Sequence, residues 1–408
     1  MEKGCDAKLH EIPVSASDLD GEVAFDEKAT KRLLRKIDIV LLPLLSLLYL
    51  LSFLDRANIG NARLAGLEKD LHLKGLIITT WYKREECGLR LAIFYSSATA
   101  AGAFGGILAR GIMQMNGVGG KAGWSWIFII EGLLTFVVAL GAFYFMQDYP
   151  DTAGFLTKVE RREVKRRLEN DRDFLADEYN TKFIWQALTD WKVYVLAIAS
   201  GCLALPTYCV SLFLPTIVKE LGYKNTTAQL MSTPPYLVAC FVCIAGGYAA
   251  DRLKTRGPFM IGFTLVAMIG FLILLVSTND HIKYAGCFFI TSGLYPSVPQ
   301  GMAWASCNTG GTLKRSIGIA TFVMFGNMAG LSASFVFMPK FGPHYRVSHA
   351  ALLATTSTAL CLSIFMTIWV RRENARREAV KPRATYTDEE MRAQREMGDD
   401  AGFWRYTT

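Results

Sequence analysis

Residues 53–90 read FLDRANIGNARLAGLEKDLHLKGLIITTWYKREECGLR. An apolar run ends at Phe53 and another begins just after Arg90. The stretch between them is too polar to cross a bilayer, yet its two ends ask for opposite sides of one. The rest of the chain makes that conflict visible. Of its 408 residues 51% are hydrophobic and 20% charged, with a mean hydropathy of +0.25. The charge is gathered into blocks with long uncharged runs between them. Runs of about 18 or more apolar residues read as membrane-spanning helices.

Such runs fall near 37–54, 91–112, 124–146, 191–218, 229–250, 258–276, 284–305, 316–338 and 348–370. In lipid each must satisfy its own backbone hydrogen bonds, so all nine are expected to be helices. Prolines inside them (Pro43, Pro206, Pro215, Pro296 and Pro299 among them) are tolerated in membrane bundles and often mark bends along a cavity. The net charge of +8 lies beside apolar runs, the pattern of basic flanks and not of nucleic-acid binding. Six of the nine cysteines lie inside apolar runs, and the Cys240-x-x-Cys243 pair reads as two buried thiols. The five histidines are scattered, so no cofactor and no metal site is expected. The basic, polar amino terminus makes the first apolar run a retained anchor and not a removed leader.

Lysine and arginine then assign sides. The segment 147–190 carries Lys158, Arg161, Arg162, Lys165, Arg166 and Arg167, which places it in the cytoplasm. Counting from it, the basic groups at 251–257, 313–315, 371–378 and 81–86 all fall inside. Lys31, Arg32, Arg35 and Lys36 place the amino end of the first helix inside as well, so Asp55 should be outside while Trp81 is inside. An odd number of crossings is missing between the two. From this, the first helix is expected to invert or to fail to span, with residues 57–80 irregular. A comparison of halves yields the same parity. WYKREECGLRLAIF (81–94) and GGTLKRSIGIATF (310–322) both set a basic cluster before a small-residue helix. The second precedes the fifth helix of a six-helix half, the first only the second helix of its own, so three helices are absent.

Several segments together resemble one family: KIDIVLLPLLSLLYLLSFLDRANIGNA (36–62), TTWYKREE (79–86), GAFGGILARGI (102–112), GVGGKAGWSWIFIIEGLLT (117–135) and DYPDTAGFLTKVER (148–161). To these the carboxyl half adds GGYAADRLKTRG (246–257) and FGNMAG (325–330). They are similar to the fungal anion:cation symporters of the major facilitator superfamily, the allantoate permease group with its nicotinate and vitamin-acid carriers. The resemblance covers roughly 30–380 and implies twelve helices, of which the second, third and fourth are missing here. The expected fold is therefore an all-α membrane protein, an incomplete major-facilitator fold of about nine transmembrane helices. Its expected parts are a cytoplasmic tail (1–36), an incomplete amino bundle (37–146), a cytoplasmic linker (147–190), a six-helix bundle (191–370) and a second cytoplasmic tail (371–408).

Candidate site residues follow from charge inside apolar runs, where ionisable groups are costly and tend to be functional. Arg56 would draw an anionic substrate and Asp55 would take a proton, a reading the family's cavity-facing Asp-Arg pair favours; an interfacial ion pair is the alternative. Asn58, one turn on, would bond a carboxylate or cap the helix. Glu131 would carry a proton or bond a neighbouring helix. Asn327 would touch substrate or join helices. Gly247, Asp251, Arg252 and Arg256 match the superfamily's Gly-x-x-x-Asp-Arg loop and read as a cytoplasmic gate, with Lys254 where glycine is usual and the turn correspondingly looser. Two functions stay open. One is proton-coupled symport of a small organic anion by a monomer in the plasma membrane. The other is a truncated carrier that does not transport, whether a binding or regulatory membrane protein or the product of a mispredicted exon boundary. No nucleophile–base pattern suggests an enzyme.

Overall fold

The computed structural model describes residues 27–58, 81–83, 86–145, 149–171, 175, 180–220, 222, 225–337 and 345–408. Among these residues the chain is helical, with no strand. The amino half supplies α1 (Glu27–Asn58), α2 (Cys87–Met113) and α3 (Gly123–Phe145). The linker supplies α4 (Lys158–Asp171) and α5 (Thr181–Thr189). The carboxyl half supplies α6 (Trp191–Glu220), the short α7 (Asn225–Met231), α8 (Thr233–Leu253), α9 (Gly257–Val276), α10 (Asp280–Asn308), α11 (Thr312–Val336) and α12 (Arg346–Val380). A last short helix, α13 (Asp388–Ala393), lies in the tail.

Seven of the described long helices are apolar enough to cross a membrane by length and composition. The other two long helices are α2, which is rich in small residues, and α10, which carries polar residues along its length. Both are interior: α10 packs on α2, α6, α8 and α9, and most of its length is buried. A helix shielded from lipid by its neighbours has no need of a wholly apolar surface. Its polar side chains are satisfied locally, as where Thr291 donates to the Pro235 carbonyl of α8 at 3.1 Å and Ser297 to the Gly293 carbonyl at 2.7 Å. Close packing requires glycine at two crossings. A Cβ at Gly293 would overlap the α9 backbone at Phe263 and Ala267, and one at Gly102 would meet the Tyr236 ring at 2.9 Å. Cys240 and Cys243 donate thiol hydrogen bonds to the Ser96 and Ala92 carbonyls of α2, which makes them part of this packing.

The first helix corrects one expectation. It is not inverted relative to the linker: Lys36 pairs with Glu160 of α4 at 2.7 Å, so the amino end of α1 sits on the linker face. On that same face Arg167 of α4 pairs with Glu86 at 2.5 Å, and Trp81 stacks on Phe155 at 5.9 Å. Thus α1 and α2 start together and run side by side, tied by a bidentate Asp38–Arg90 pair at 2.7 and 2.9 Å. The physical reason is charge: the basic end of α1 finds its partner in the acidic residues of the linker helix and satisfies the positive-inside rule without inversion. Residues 59–80, on which the expectation of an irregular segment falls, lie outside the described residues, although α1 itself is helical through Asn58.

Candidate functional site

The gate residues meet at the seam between the halves, where α8 packs along α2. Asp251, near the carboxyl end of α8, accepts a hydrogen bond from the Leu89 backbone N–H at 2.6 Å. Leu89 lies in the first turn of α2, where N–H groups have no partner within the helix and carry partial positive charge. A carboxylate from the other half therefore caps α2. The other face of that carboxylate pairs with Arg256, which is 2% exposed. Two glycines make the approach possible. A Cβ at Gly88 would overlap the Asp251–Arg256 pair, and one at Gly247 would strike Ala92. Arg252 stands apart: it is exposed and donates to Tyr248 of its own helix at 2.9 Å. The turn itself is not loosened. Lys254 takes the left-handed conformation (φ 52°) that glycine normally supplies, and its N–H still closes on the end of α8.

Inside the bundle the candidates scatter. Asn327 of α11 accepts from the Tyr208 hydroxyl of α6 at 2.9 Å, a bond that joins the two helices. Glu131 of α3 is 4% exposed, and α3 packs on α1 and α2. The side chains of Asp55, Arg56 and Asn58 lie outside the described residues.

Two groups escaped the sequence reading. The first is aromatic and lies where the halves meet. Tyr49 of α1 packs on Phe94 and Tyr95 of α2 at 4.3 and 5.3 Å, and the Tyr95 hydroxyl reaches the Met302 sulfur of α10 at 3.5 Å. Tyr236 of α8 faces Tyr295 of α10 at 5.7 Å. Phenols in apolar runs look like ordinary core residues, so no sequence signal separates them. The second is a buried charge cluster on the linker face that includes Lys192 and Lys314. In the sequence Lys314 counts only among the flanks that set orientation, and Lys192 is not singled out.

With this geometry in hand, comparison with known proteins gives consistent results. The Major Facilitator Superfamily profile matches residues 75–333. An uncharacterized transporter of Schizosaccharomyces pombe is 29% identical, over 90% of this chain and 92% of its own length. The high-affinity nicotinic acid transporter of Saccharomyces cerevisiae is 27% identical, over 99% of this chain and 92% of its own. Among solved structures, the Escherichia coli fucose:proton symporter superposes with a TM-score of 0.55 at 14% identity, over 82% of this chain and 85% of its own. That last likeness concerns the fold alone.

Proposed function

We propose that this chain, which belongs to the Major Facilitator Superfamily, is a multi-pass membrane carrier that moves a small organic anion together with protons. The carrying observation is the similarity to a nicotinic acid transporter across 99% of this chain. Nicotinic acid is a carboxylate at neutral pH, and an allantoate- or nicotinate-like acid is the substrate class we infer. In this reading Arg56 attracts the carboxylate by charge-assisted hydrogen bonds, with Asn58 and Asn327 as polar supports. Asp55 and Glu131 carry the coupling protons. Ionisable side chains inside a membrane are costly and tend to serve proton or substrate pathways, which is the ground for this assignment. Gly247, Asp251 and Arg256 form the gate on the linker face, with Arg252 at its rim. The carrier acts as a monomer in the plasma membrane.

One observation favours a second reading, a truncated carrier that does not transport. The alignment to the nicotinic acid transporter runs over 497 positions against 408 residues here, which leaves at least 89 positions without a counterpart. Three spanning helices with their turns need roughly that many residues, at about 20 per span plus connections. This supports the absence of the family's second to fourth helices, and with them part of the cavity wall. Uptake of radiolabelled nicotinate and allantoate by cells expressing this chain separates the two readings. Saturable uptake above that of empty cells, lost when the proton gradient is collapsed, is expected of the carrier. No uptake of any organic acid at full surface expression is expected of the second reading.

A further inference from the structure

The tail beyond α12 is bound to the ends of the carboxyl-half helices, on the linker face that the basic flanks assign to the cytoplasm. Phe403, Trp404 and Tyr406 are buried. Trp304 and Asn308 of α10 donate to the Thr407 carbonyl at 2.8 and 3.0 Å, and the Thr407 N–H donates back to Asn308 at 2.7 Å. Arg377 of α12 donates to the carbonyls of Asp399, Ala401 and Trp404 at 2.8, 3.1 and 3.2 Å. At the centre is Asp399, 1% exposed. Its carboxylate accepts from Lys192 in the first turn of α6 and from Lys314 in the first turn of α11, the latter at 2.5 Å. The Gly310 backbone N–H points at the same carboxylate from 3.4 Å.

Among the described residues the helices and their connections supply two ammonium groups here and one close carboxylate, Asp190, while the tail supplies Asp399 and the more exposed Asp400, 3.1 Å from Lys192. Asp190 lies 2.8 Å from Lys314 and 3.3 Å from Lys192. Two cations against one anion leave a net positive charge in a buried place. An uncompensated buried charge is strongly unfavourable, so the helices alone present a site that demands an anion. The donor set suits a carboxylate: two charged donors and one backbone N–H converging on it. Asp399 meets that demand from a segment 85 residues from Lys314 along the chain.

We propose that Lys192, Lys314 and the Gly310 N–H form a carboxylate-binding site on the linker face, and that the chain's own Asp399 occupies it as a displaceable plug. Free carboxylates then compete with the Asp399 side chain for the site, and one small enough to fill the space left in Asp399→Ala lets the tail dock over it. Because Asp399 is tethered, its effective concentration is high, and competitors act only when they accumulate on that side. The tail that carries Asp399 also touches the gate, where the Arg256 N–H donates to the Thr408 backbone oxygen at 2.6 Å, and the test of the site needs no transport.

Hydrogen exchange of residues 395–408, on the full chain in lipid nanodiscs, reads the plug directly. In Asp399→Ala these amides are expected to exchange at least about tenfold faster while α10 keeps its protection. Sodium formate, the probe for a small carboxylate, is expected to restore the protection saturably, and sodium chloride at equal ionic strength is not. Adding Lys314→Met to Asp399→Ala is expected to abolish the formate effect. Wild-type protection of the tail in Asp399→Ala, or formate acting no better than chloride, overturns the proposal. If Asp399→Ala also unprotects α10, Asp399→Asn, which keeps the shape and removes the charge, decides: a released tail on intact helices supports the plug. A tail still protected in Asp399→Asn, or helices again unprotected, overturns it.

Discussion

The backbone N–H of Leu89 and the carboxylate of Asp251 meet at 2.6 Å, joining the first turn of α2 to the last turns of α8. The two residues are 162 positions apart and belong to different halves. Few contacts could bind two bundles more directly. A helix start lacks intrahelical acceptors, and a carboxylate is the best external one. Arg256 holds that carboxylate in place from the opposite side.

Replacing Asp251 with alanine should therefore weaken the seam. The loss of a charged cap costs about 1–2 kcal/mol. A fall in the thermal unfolding midpoint of the purified chain, with Asp251→Asn falling less, is the expected result. An unchanged midpoint in Asp251→Ala would remove the cap from this account.

Lys254 offers a test of opposite sign. A side chain at φ 52° carries strain that glycine does not have. Lys254→Gly is expected to stabilise the chain by about 1 kcal/mol, and Lys254→Val to destabilise it by more. Denaturant unfolding of both variants checks this. A lower midpoint for Lys254→Gly would show that the lysine contributes something that outweighs its strain.

Asn327 and Tyr208 are separable by a double-mutant cycle. If their 2.9 Å bond only joins α6 and α11, Tyr208→Phe and Asn327→Ala should each cost stability and couple by about 0.5–1.5 kcal/mol. They should then raise KM alike. A KM change confined to Asn327→Ala would instead make that amide a substrate contact.

The tail should be insensitive to physiological pH. Burial alone would raise the pKa of Asp399, but the charges of Lys314 and Lys192 outweigh it and hold the carboxyl below its ordinary value of 3.8. Asp190, Asp400, Tyr406 and Arg377 complete the ring of titratable groups around it. A depressed carboxylate stabilises docking above its free-state pKa and loses that contribution as pH falls through the docked value. Tail protection should thus stay flat from about pH 5 to 8 and fail only in strong acid. Loss of protection between those limits would point to a different controlling group.

Much of this was legible in the sequence, for identifiable reasons. Apolar runs of spanning length mark helices whatever their neighbours, so α1 to α3, α6 and α8 to α12 are visible from hydropathy and flanking charge, whereas α7 is too short. The Gly247–Asp251–Arg256 spacing also carries its mechanism, since a glycine one turn before an aspartate lets the carboxylate reach a neighbouring helix. What failed was local. The basic cluster before α1 was read without Glu160 of the linker helix, which pairs with Lys36, because the two are far apart in sequence. Lys314 counts in the sequence only as a basic flank, and Lys192 not at all, for the same reason: their burial depends on a tail that no periodicity connects to them. The Tyr208 hydroxyl that bonds Asn327 lies 119 residues away in sequence, so no spacing announces the pair.

The central claim, that the chain carries an organic anion with protons through Arg56, is tested most directly in proteoliposomes of the purified chain with an imposed inward proton gradient. Radiolabelled nicotinate should accumulate, and a protonophore should abolish the accumulation. Arg56→Ala should lower uptake by roughly tenfold or more, with Arg56→Lys between it and wild type, because lysine keeps the charge and loses the bidentate fork. Accumulation that ignores the gradient, or that proceeds at the wild-type rate in Arg56→Ala, would contradict the account.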